Sequence, residues 1–92
     1  MEIKVVDLTA KWCAPCIALD KIMESEIIPR YKDKVEFVKI DIDEGEGEKL
    51  AAQYDILSVP SLIIFKNDKE IWRKSSWISR DEIIRELDRT LQ

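Results

Sequence analysis

The chain has 92 residues, of which 46% are hydrophobic and 37% charged, and its formal net charge is −4. This length and balance are typical of one folded domain, which we place over residues 1–92, and they exclude a disordered chain. The negative charge disfavours nucleic acid as a partner, and no stretch approaches the roughly 20 apolar residues of a membrane span.

The first part of the chain predicts a strand followed by a helix. Ile3 to Thr9 is a nearly continuous apolar run with Asp7 inside it, typical of a strand buried on both faces. A helical pattern begins at Ala14, and Pro29 is expected to stop or kink that helix. Its apolar positions are Ile17, Leu19, Ile22, Met23 and Ile27.

A second strand and a second helix are predicted next. The strand runs from Val35 to Ile42, and its alternation divides the side chains between two faces. One face takes Val35, Phe37 and, on one interpretation, Lys39; the other takes Val38, Ile40 and Ile42. A short helix from about Glu46 to Tyr54 would bury Leu50, Ala51 and Tyr54.

The last part of the chain predicts a hairpin and a helix. Strands at Ser61–Phe65 and Glu70–Lys74 flank Asn67-Asp68, and both of these residue types tolerate the positive φ of a tight turn. Ser79, with Glu82 three residues later, forms a capping-box pattern that opens the final helix. Its inward residues would be Ile83, Ile84, Leu87 and Leu91.

The predicted order is therefore βαβαββα. The strand–helix–strand unit requires a parallel pair and a right-handed crossover, and the hairpin adds an antiparallel edge. We expect an α/β fold in which a mixed four-stranded sheet is flanked by three helices.

Two cysteines carry the chemistry that the rest of the sequence leaves open. There is no His, and Gly45 and Gly47 are the only glycines, so Cys-His nucleophiles, the usual zinc sites and a glycine-rich phosphate loop are excluded. Cys13 lies where the first strand has ended and the first helix begins, and backbone N–H groups there favour a thiolate. Such a position lowers a cysteine pKa from about 8.5 toward 7. Cys16 is one helical turn later, close enough for a disulfide, and is the resolving thiol.

Two alternatives to redox chemistry are a structural disulfide and a metal site. A disulfide across so short a loop would stabilise the fold by only roughly 2 kcal/mol. A metal would require two further ligands, which only a dimer sharing a zinc ion or an iron–sulfur cluster could supply as cysteines. Redox chemistry is therefore favoured.

Three features of the chain carry a family resemblance. These are Trp12-Cys13-Ala14-Pro15-Cys16, the preceding strand that bears Asp7, and Val59-Pro60-Ser61 at the entry to a later strand. In these features the chain resembles the thioredoxin family. The resemblance extends from about Val5 to the last helix, without the usual N-terminal strand and helix of that family.

The resemblance implies roles for individual residues around the cysteine pair. Asp7 would accept a proton from Cys16, unless it only caps a turn or lies at the sheet edge. Lys39 would lie near Asp7 and tune it, either as a buried pair or as a surface lysine of an edge strand. Pro15 would tune the redox balance. The substrate would contact Trp12, Val59, a cis Pro60 and Trp77, although Trp77 could instead pack over the sheet.

The sequence also departs from the pattern of that family. Ala14 replaces the usual glycine between the cysteines, Thr9 stands where a tryptophan is common, and Lys21 replaces a proline that kinks the first helix. Three further positions often taken by glycine are Asp55, Asp68 and Ser76. These differences bear on which electron donor and which substrates the protein uses, more than on the thiol–disulfide chemistry itself.

We therefore expect a reductase of protein disulfides that uses the Cys13–Cys16 pair without a metal or a bound organic cofactor. Its partners would be disulfide-containing proteins and an electron donor of the thioredoxin-reductase type, with the chain acting as a monomer away from membranes. Because residues 1–7 lack the pattern of a secretory signal, we expect a cytoplasmic location. The alternatives are a glutathione-dependent, glutaredoxin-type reductase and a non-catalytic binding module or redox sensor.

Overall fold

Strands and helices follow one another in the predicted order over residues 2–92, which are the residues that the computed structural model describes. The predicted first helix consists of three contiguous segments. The elements are β1 (Ile3–Thr9), α1 (Ala14–Ile22), a π-helical segment (Met23–Ile27), α2 (Ile28–Tyr31), β2 (Val35–Asp41), α3 (Gly47–Gln53), β3 (Ser61–Lys66), β4 (Lys69–Ser75) and α4 (Arg80–Leu91).

The four strands form one mixed sheet in the order β2-β1-β3-β4. Strand β1 pairs in parallel with β2 and antiparallel with β3, and β4 pairs antiparallel with β3. The hairpin turn between β3 and β4 contains Asn67 with φ 52° and Asp68 with φ 66°. The predicted sheet and its tight turn are therefore confirmed.

Alternation along the strands separates two hydrophobic layers. On one face, Ile3 and Val5 of β1 pack with residues of α1, the π-helical segment, α2 and α4. On the other face, Val6 and Leu8 pack with α3. The predicted faces of β2 are confirmed for its apolar residues, because Val35 and Phe37 join the first layer while Val38, Ile40 and Ile42 join the second.

Pro29 changes the first helix without ending it. The N–H of Ile28 donates to the carbonyl oxygen of Met23, five residues earlier, and helical structure continues to Tyr31. Proline offers no N–H and crowds the carbonyl four residues before it, so the wider π-helical turn accommodates the ring. Among the apolar positions with helical spacing, Leu19, Met23 and Ile27 are buried together with Cys16, whereas Ile17 is exposed.

Three residues that stand where the family often has glycine adopt positive φ. The angles are 56° at Asp55, 66° at Asp68 and 100° at Ser76. A Cβ atom makes this region unfavourable, and Asp is among the few side chains that tolerate it. At these three positions the backbone therefore adopts a conformation that glycine takes most readily, although none of the three is glycine.

The N-terminus of α4 uses half of the predicted capping box. The Ser79 hydroxyl accepts a hydrogen bond from the backbone N–H of Glu82 at 3.2 Å. The Glu82 carboxylate does not return to Ser79 and instead binds the Lys74 ammonium of β4 at 2.7 Å. None of the helices described in residues 2–92 is long and apolar enough to cross a membrane.

Candidate active site

Cys13 is the N-cap residue of α1. Its backbone is extended, with φ −96° and ψ 105°, and its Sγ accepts a hydrogen bond from the N–H of Cys16 at 3.2 Å. Pro15 lies in the first turn of α1, where a missing N–H leaves no helical hydrogen bond unmade. The helix start therefore directs an N–H group at one sulfur, which favours negative charge on that sulfur.

Cys13 and Cys16 are joined by a disulfide, and their Cα atoms are 5.2 Å apart. Cys16 is fully buried, whereas Cys13 retains 6% of its exposure. Both cysteines pack with Ala10, Ile42 and Val59. Of the two cysteines, only Cys13 keeps any exposed area.

The loop before β3 faces this disulfide. The Val59–Pro60 peptide bond is cis, as the resemblance implies, and the Val59 carbonyl oxygen lies 3.8 Å from Cys13 Sγ. The Pro60 carbonyl oxygen accepts a hydrogen bond from the N–H of Ser76 at 2.9 Å. The three segments that carry Cys13, Val59-Pro60 and Ser76 are thereby brought together.

Exposed hydrophobic side chains lie on these same segments. Trp12 is 70% exposed, and its indole N–H donates to the Asp43 carboxylate at 2.6 Å. Trp77, which follows Ser76, is also exposed, and this favours the interpretation as a docking aromatic over that of a packed one. Leu57 was not predicted as part of the site. It is 98% exposed and precedes Ser58 in the loop that leads to Pro60. An apolar residue in a loop beside the Val59-Pro60 motif was the available signal.

Asp7 lies in the middle of β1 and is buried. Burial, as the largest cause, together with a hydrogen bond from Asp20 and the charge of Asp20, raises the pKa of its carboxyl from 3.8 to about 8, and the charge of Lys39 opposes this rise. The interpretation as a turn cap or an edge residue is wrong, since β1 is a central strand with partners on both sides. Asp7 can therefore hold or release a proton near neutral pH.

Asp20 was not predicted as part of the site, although its hydrogen bond and its charge both raise the pKa of Asp7. Asp20 lies in α1 four residues after Cys16, on the same side of the helix, and its side chain is 14% exposed. Its Oδ2 accepts a hydrogen bond from the Thr9 hydroxyl at 3.0 Å. An acidic residue one turn after Cys16 was a signal in the sequence, but its partners lie on other strands.

Lys39 does not form the buried pair with Asp7 that was one of the two interpretations. Its side chain is 54% exposed on the edge strand β2, and its ammonium lies 3.4 Å from Asp20 Oδ2 and 3.8 Å from Glu24 Oε1. The carboxylates of Asp20 and Glu24 hold the Lys39 ammonium outside the core, where the charge stays hydrated, whereas a buried ammonium would be costly. Its charge still lowers the pKa of Asp7.

This arrangement suits thiol–disulfide exchange. It contains one accessible sulfur at a helix N-terminus, one buried sulfur in bonding contact with it, and a carboxyl group that can move a proton. Within residues 2–92, no group of three or more His, Cys, Asp or Glu side chains could hold a metal ion. The redox group that the structure contains is the disulfide itself.

The comparisons with known proteins agree with this chemistry. A sequence model described as "Thioredoxin" matches residues 1–89. A thioredoxin of Staphylococcus epidermidis is 32% identical over 89 residues, covering 97% of this chain and 83% of that protein. A thioredoxin of Staphylococcus aureus is 30% identical with the same coverage.

Two solved structures extend the similarity to the whole fold. A structure titled as thioredoxin-2, a component of the malaria parasite protein secretion machinery, superposes with a TM-score of 0.87 at 26% identity, covering 95% of this chain and 82% of that one. The oxidised form of thioredoxin O2 from Arabidopsis thaliana gives a TM-score of 0.85 at 24% identity, covering 98% and 76%, and supports the fold alone.

Proposed function

Because the chain belongs to the thioredoxin family and is a thiol–disulfide oxidoreductase with a Cys13–Cys16 pair, we propose that Cys13 is its attacking thiolate and Cys16 its resolving thiol. The observation that carries this proposal is the unequal placement of the two sulfurs. Cys13 caps α1 and keeps 6% of its exposure, whereas Cys16, which is bonded to it, is fully buried.

The reaction begins with the reduced pair. The Cys13 thiolate attacks one sulfur of a substrate disulfide, a Cys13–substrate disulfide forms, and the other substrate sulfur leaves as a thiolate. The N–H of Cys16 and the start of α1 stabilise the thiolate before the attack. Pro15 supports this step by fixing the shape of the first turn without loss of a hydrogen bond.

The second step releases the substrate. The Cys16 thiol gives its proton to the Asp7 carboxylate and attacks Cys13 Sγ, so that the Cys13–Cys16 disulfide forms and the second substrate sulfur leaves. Two electrons have then passed from the protein to the substrate. Lys39 adjusts the proton affinity of Asp7 from the surface, through its charge.

The substrate would dock along the loops that surround Cys13. The Val59 backbone beside Pro60 lies next to the sulfur and offers hydrogen-bonding groups to an extended peptide. The exposed rings of Trp12 and Trp77 supply apolar contact on the adjacent loops. Disulfide-containing proteins are therefore the proposed substrate class.

The protein must be reduced again after each turnover, and we propose a thioredoxin-reductase-type donor acting on a monomer. A compartment that keeps thiols reduced suits such a cycle, and this supports a cytoplasmic location and a contribution to cell redox homeostasis. Turnover with a thioredoxin reductase, measured against turnover with glutathione, distinguishes this donor from the glutaredoxin-type alternative.

Two cysteine variants test the roles of the sulfurs. In an insulin-reduction assay, Cys13→Ser should lose activity entirely, because it removes the attacking sulfur. Cys16→Ser should accumulate a covalent substrate adduct, visible by non-reducing electrophoresis and mass spectrometry, because nothing resolves the mixed disulfide.

The control is Ala14→Ser, which changes the residue between the cysteines and keeps both sulfurs. It should retain most of the insulin-reducing activity. An active Cys13→Ser protein would contradict the proposed roles. Absence of exchange between the unmodified protein and dithiothreitol would favour a non-catalytic binding module instead.

A further inference from the structure

Asp20 lies at the boundary between two cavities on the α1 side of the sheet. The outer cavity, of about 490 Å³, is lined by Asp20 together with Thr9 and Lys21. The inner cavity, of about 90 Å³, is lined by Asp20 together with Asp7 and Phe37. Asp7 contributes to the inner cavity only, so Asp20 lies between Asp7 and the larger space.

Asp7 and Asp20 form a pair of carboxyl groups that can share a proton. Both side chains line the inner cavity, and a hydrogen bond from Asp20 raises the pKa of Asp7. Two carboxyl groups hydrogen-bond only when one of them is protonated. The Oδ1 atoms of both residues are buried and have no hydrogen-bond partner among residues 2–92. A proton shared between the two carboxyl groups would give these buried oxygens a partner.

The other oxygen of Asp20 is fixed by two donors. The Thr9 hydroxyl and the Lys39 ammonium both approach Oδ2, at 3.0 Å and 3.4 Å. They hold the Asp20 side chain between the cavities and stabilise its negative charge. The Asp20 carboxyl group is therefore held in place between Asp7 and the outer cavity.

Further charged groups surround the pair. Glu24 and Lys39 line both cavities, Glu24 from the π-helical segment and Lys39 from β2. The outer cavity is also lined by Lys11, Lys21, Asp41 and Glu44. Only Asp20 connects this charged rim with Asp7 through a hydrogen bond.

We propose that Asp20 is a positioning residue that relays the proton between Asp7 and solvent and sets the pH range in which Cys16 can resolve the mixed disulfide. This inference rests on the proposed function. When Cys16 attacks Cys13 Sγ, its proton moves to Asp7, from Asp7 to Asp20, and from Asp20 to water in the outer cavity. The Cys13–substrate bond breaks, and the substrate sulfur leaves with the electron pair of that bond.

The electrostatics give the effect of Asp20 a definite sign. Its hydrogen bond and its negative charge both raise the pKa of Asp7, which is about 8. Without the charge of Asp20, Asp7 would ionise at lower pH. Without its carboxyl group, the proton would have no neighbouring acceptor.

The test is the reaction of the reduced protein with dithiobis(nitrobenzoate), followed by the absorbance of released thionitrobenzoate over a range of pH. The first release reports attack by Cys13, and its rate rises with reagent concentration. The second release reports attack by Cys16 and is independent of reagent concentration. In Asp20→Asn, the pH midpoint of the second phase should fall by about one unit. Its plateau rate should fall about threefold or more, because the amide cannot carry the proton.

The matched control is Glu24→Gln, which removes a negative charge one turn later on a side chain that is 68% exposed. Both features of its second phase should stay at the values of the unmodified protein. An unchanged plateau in Asp20→Asn, or an equal loss in Glu24→Gln, would overturn the relay. If the first phase were missing from the unmodified protein, the proposed function itself would fail.

A second variant tests the relay independently of the asparagine substitution. Asp20→Ala removes the carboxyl group and keeps a residue that is favourable within a helix. Added formate should restore the second-phase rate in this variant, while sodium chloride at equal ionic strength should not. Lack of restoration by formate in a folded, slowed variant would contradict the relay.

Discussion

A carboxyl group inside a sheet is costly to ionise, and Asp7 lies in β1 with Lys39 of β2 and Leu62 of β3 as its register partners. Its pKa rises from 3.8 to about 8, with burial as the largest cause. Between these two values the folded protein keeps a proton on Asp7 that the unfolded chain has lost. The proton on Asp7 therefore makes its full contribution to stability below about pH 4, and this contribution is lost as the pH rises toward 8.

We expect Asp7→Asn to remove this dependence on pH. Each pH unit within the window costs the unmodified protein up to about 1.4 kcal/mol of unfolding free energy, and the neutral amide avoids that cost. In urea denaturation of the oxidised protein, the variant should be more stable by about 2 kcal/mol or more above pH 8. The two proteins should be similar near pH 4.

Asp33→Asn is the control for this comparison, because Asp33 is exposed in the turn after α2. Its stability should follow that of the unmodified protein at every pH. A stability difference between Asp7→Asn and the unmodified protein that stays constant from acid to alkaline pH would contradict the assignment of the raised pKa.

At the scale of elements, the periodicity of apolar residues was sufficient to predict the inward positions wherever one face of a strand or helix is buried. The alternation of β2 and the inward positions Ile83 and Leu87 of α4 were predicted because burial repeats with the period of the backbone. The π-helical segment was not predicted, because apolar spacing does not report which carbonyl each N–H selects. The Glu82 carboxylate does not complete the capping box, because it binds the ammonium of Lys74, eight residues earlier on β4.

The loop between β4 and α4 contains a residue under backbone strain. Ser76 has φ 100°, where a Cβ atom is unfavourable, and its N–H donates to the Pro60 carbonyl oxygen. Ser76→Gly should therefore raise the unfolding free energy by about 1 kcal/mol, measured by urea denaturation.

Ser76→Ala separates the backbone effect from the loss of the hydroxyl group. Because alanine keeps the Cβ atom, this variant should not gain the stability that glycine gains. Equal stabilisation by alanine and glycine would show that the hydroxyl, rather than the φ angle, is responsible.

At the scale of the whole molecule, the site was predictable where its parts are local in sequence. Cys13 and Cys16 share one helical turn, and Val59-Pro60 is a short motif, so the sequence analysis identified both. Asp20 was missed because Thr9 is 11 residues away, on a strand whose packing against α1 only the fold reveals. Trp12 and Asp43 likewise pair across 31 residues.

The exposed hydrophobic residues around Cys13 predict a difference between large and small substrates. Leu57 is exposed in the loop before Pro60, and the Ser76–Pro60 hydrogen bond joins that loop to the one bearing Trp77. Leu57→Ser should raise the KM for insulin about fivefold, because a docked protein would cover this side chain. The reaction with dithiobis(nitrobenzoate) should be unaffected.

Ile71→Ser is the matched control, because Ile71 is also exposed and lies in β4. The end of the sheet nearest Pro60 is marked by the pair Ser61 and Ser75, and Ile71 lies away from that end. Its KM for insulin should equal that of the unmodified protein. An equal increase in both variants would indicate a general loss of stability or solubility rather than a lost docking contact.

The enclosure of Cys16 has a consequence for the order of events in a catalytic cycle. If Cys13 is the attacking sulfur, as proposed, electrons enter and leave through Cys13, so the donor and the acceptor must occupy the same place in turn. No complex containing all three proteins would then be productive. Steady-state kinetics should follow a ping-pong pattern, with parallel double-reciprocal lines. An excess of the protein substrate, in its oxidised or its reduced form, should inhibit turnover competitively with respect to the donor.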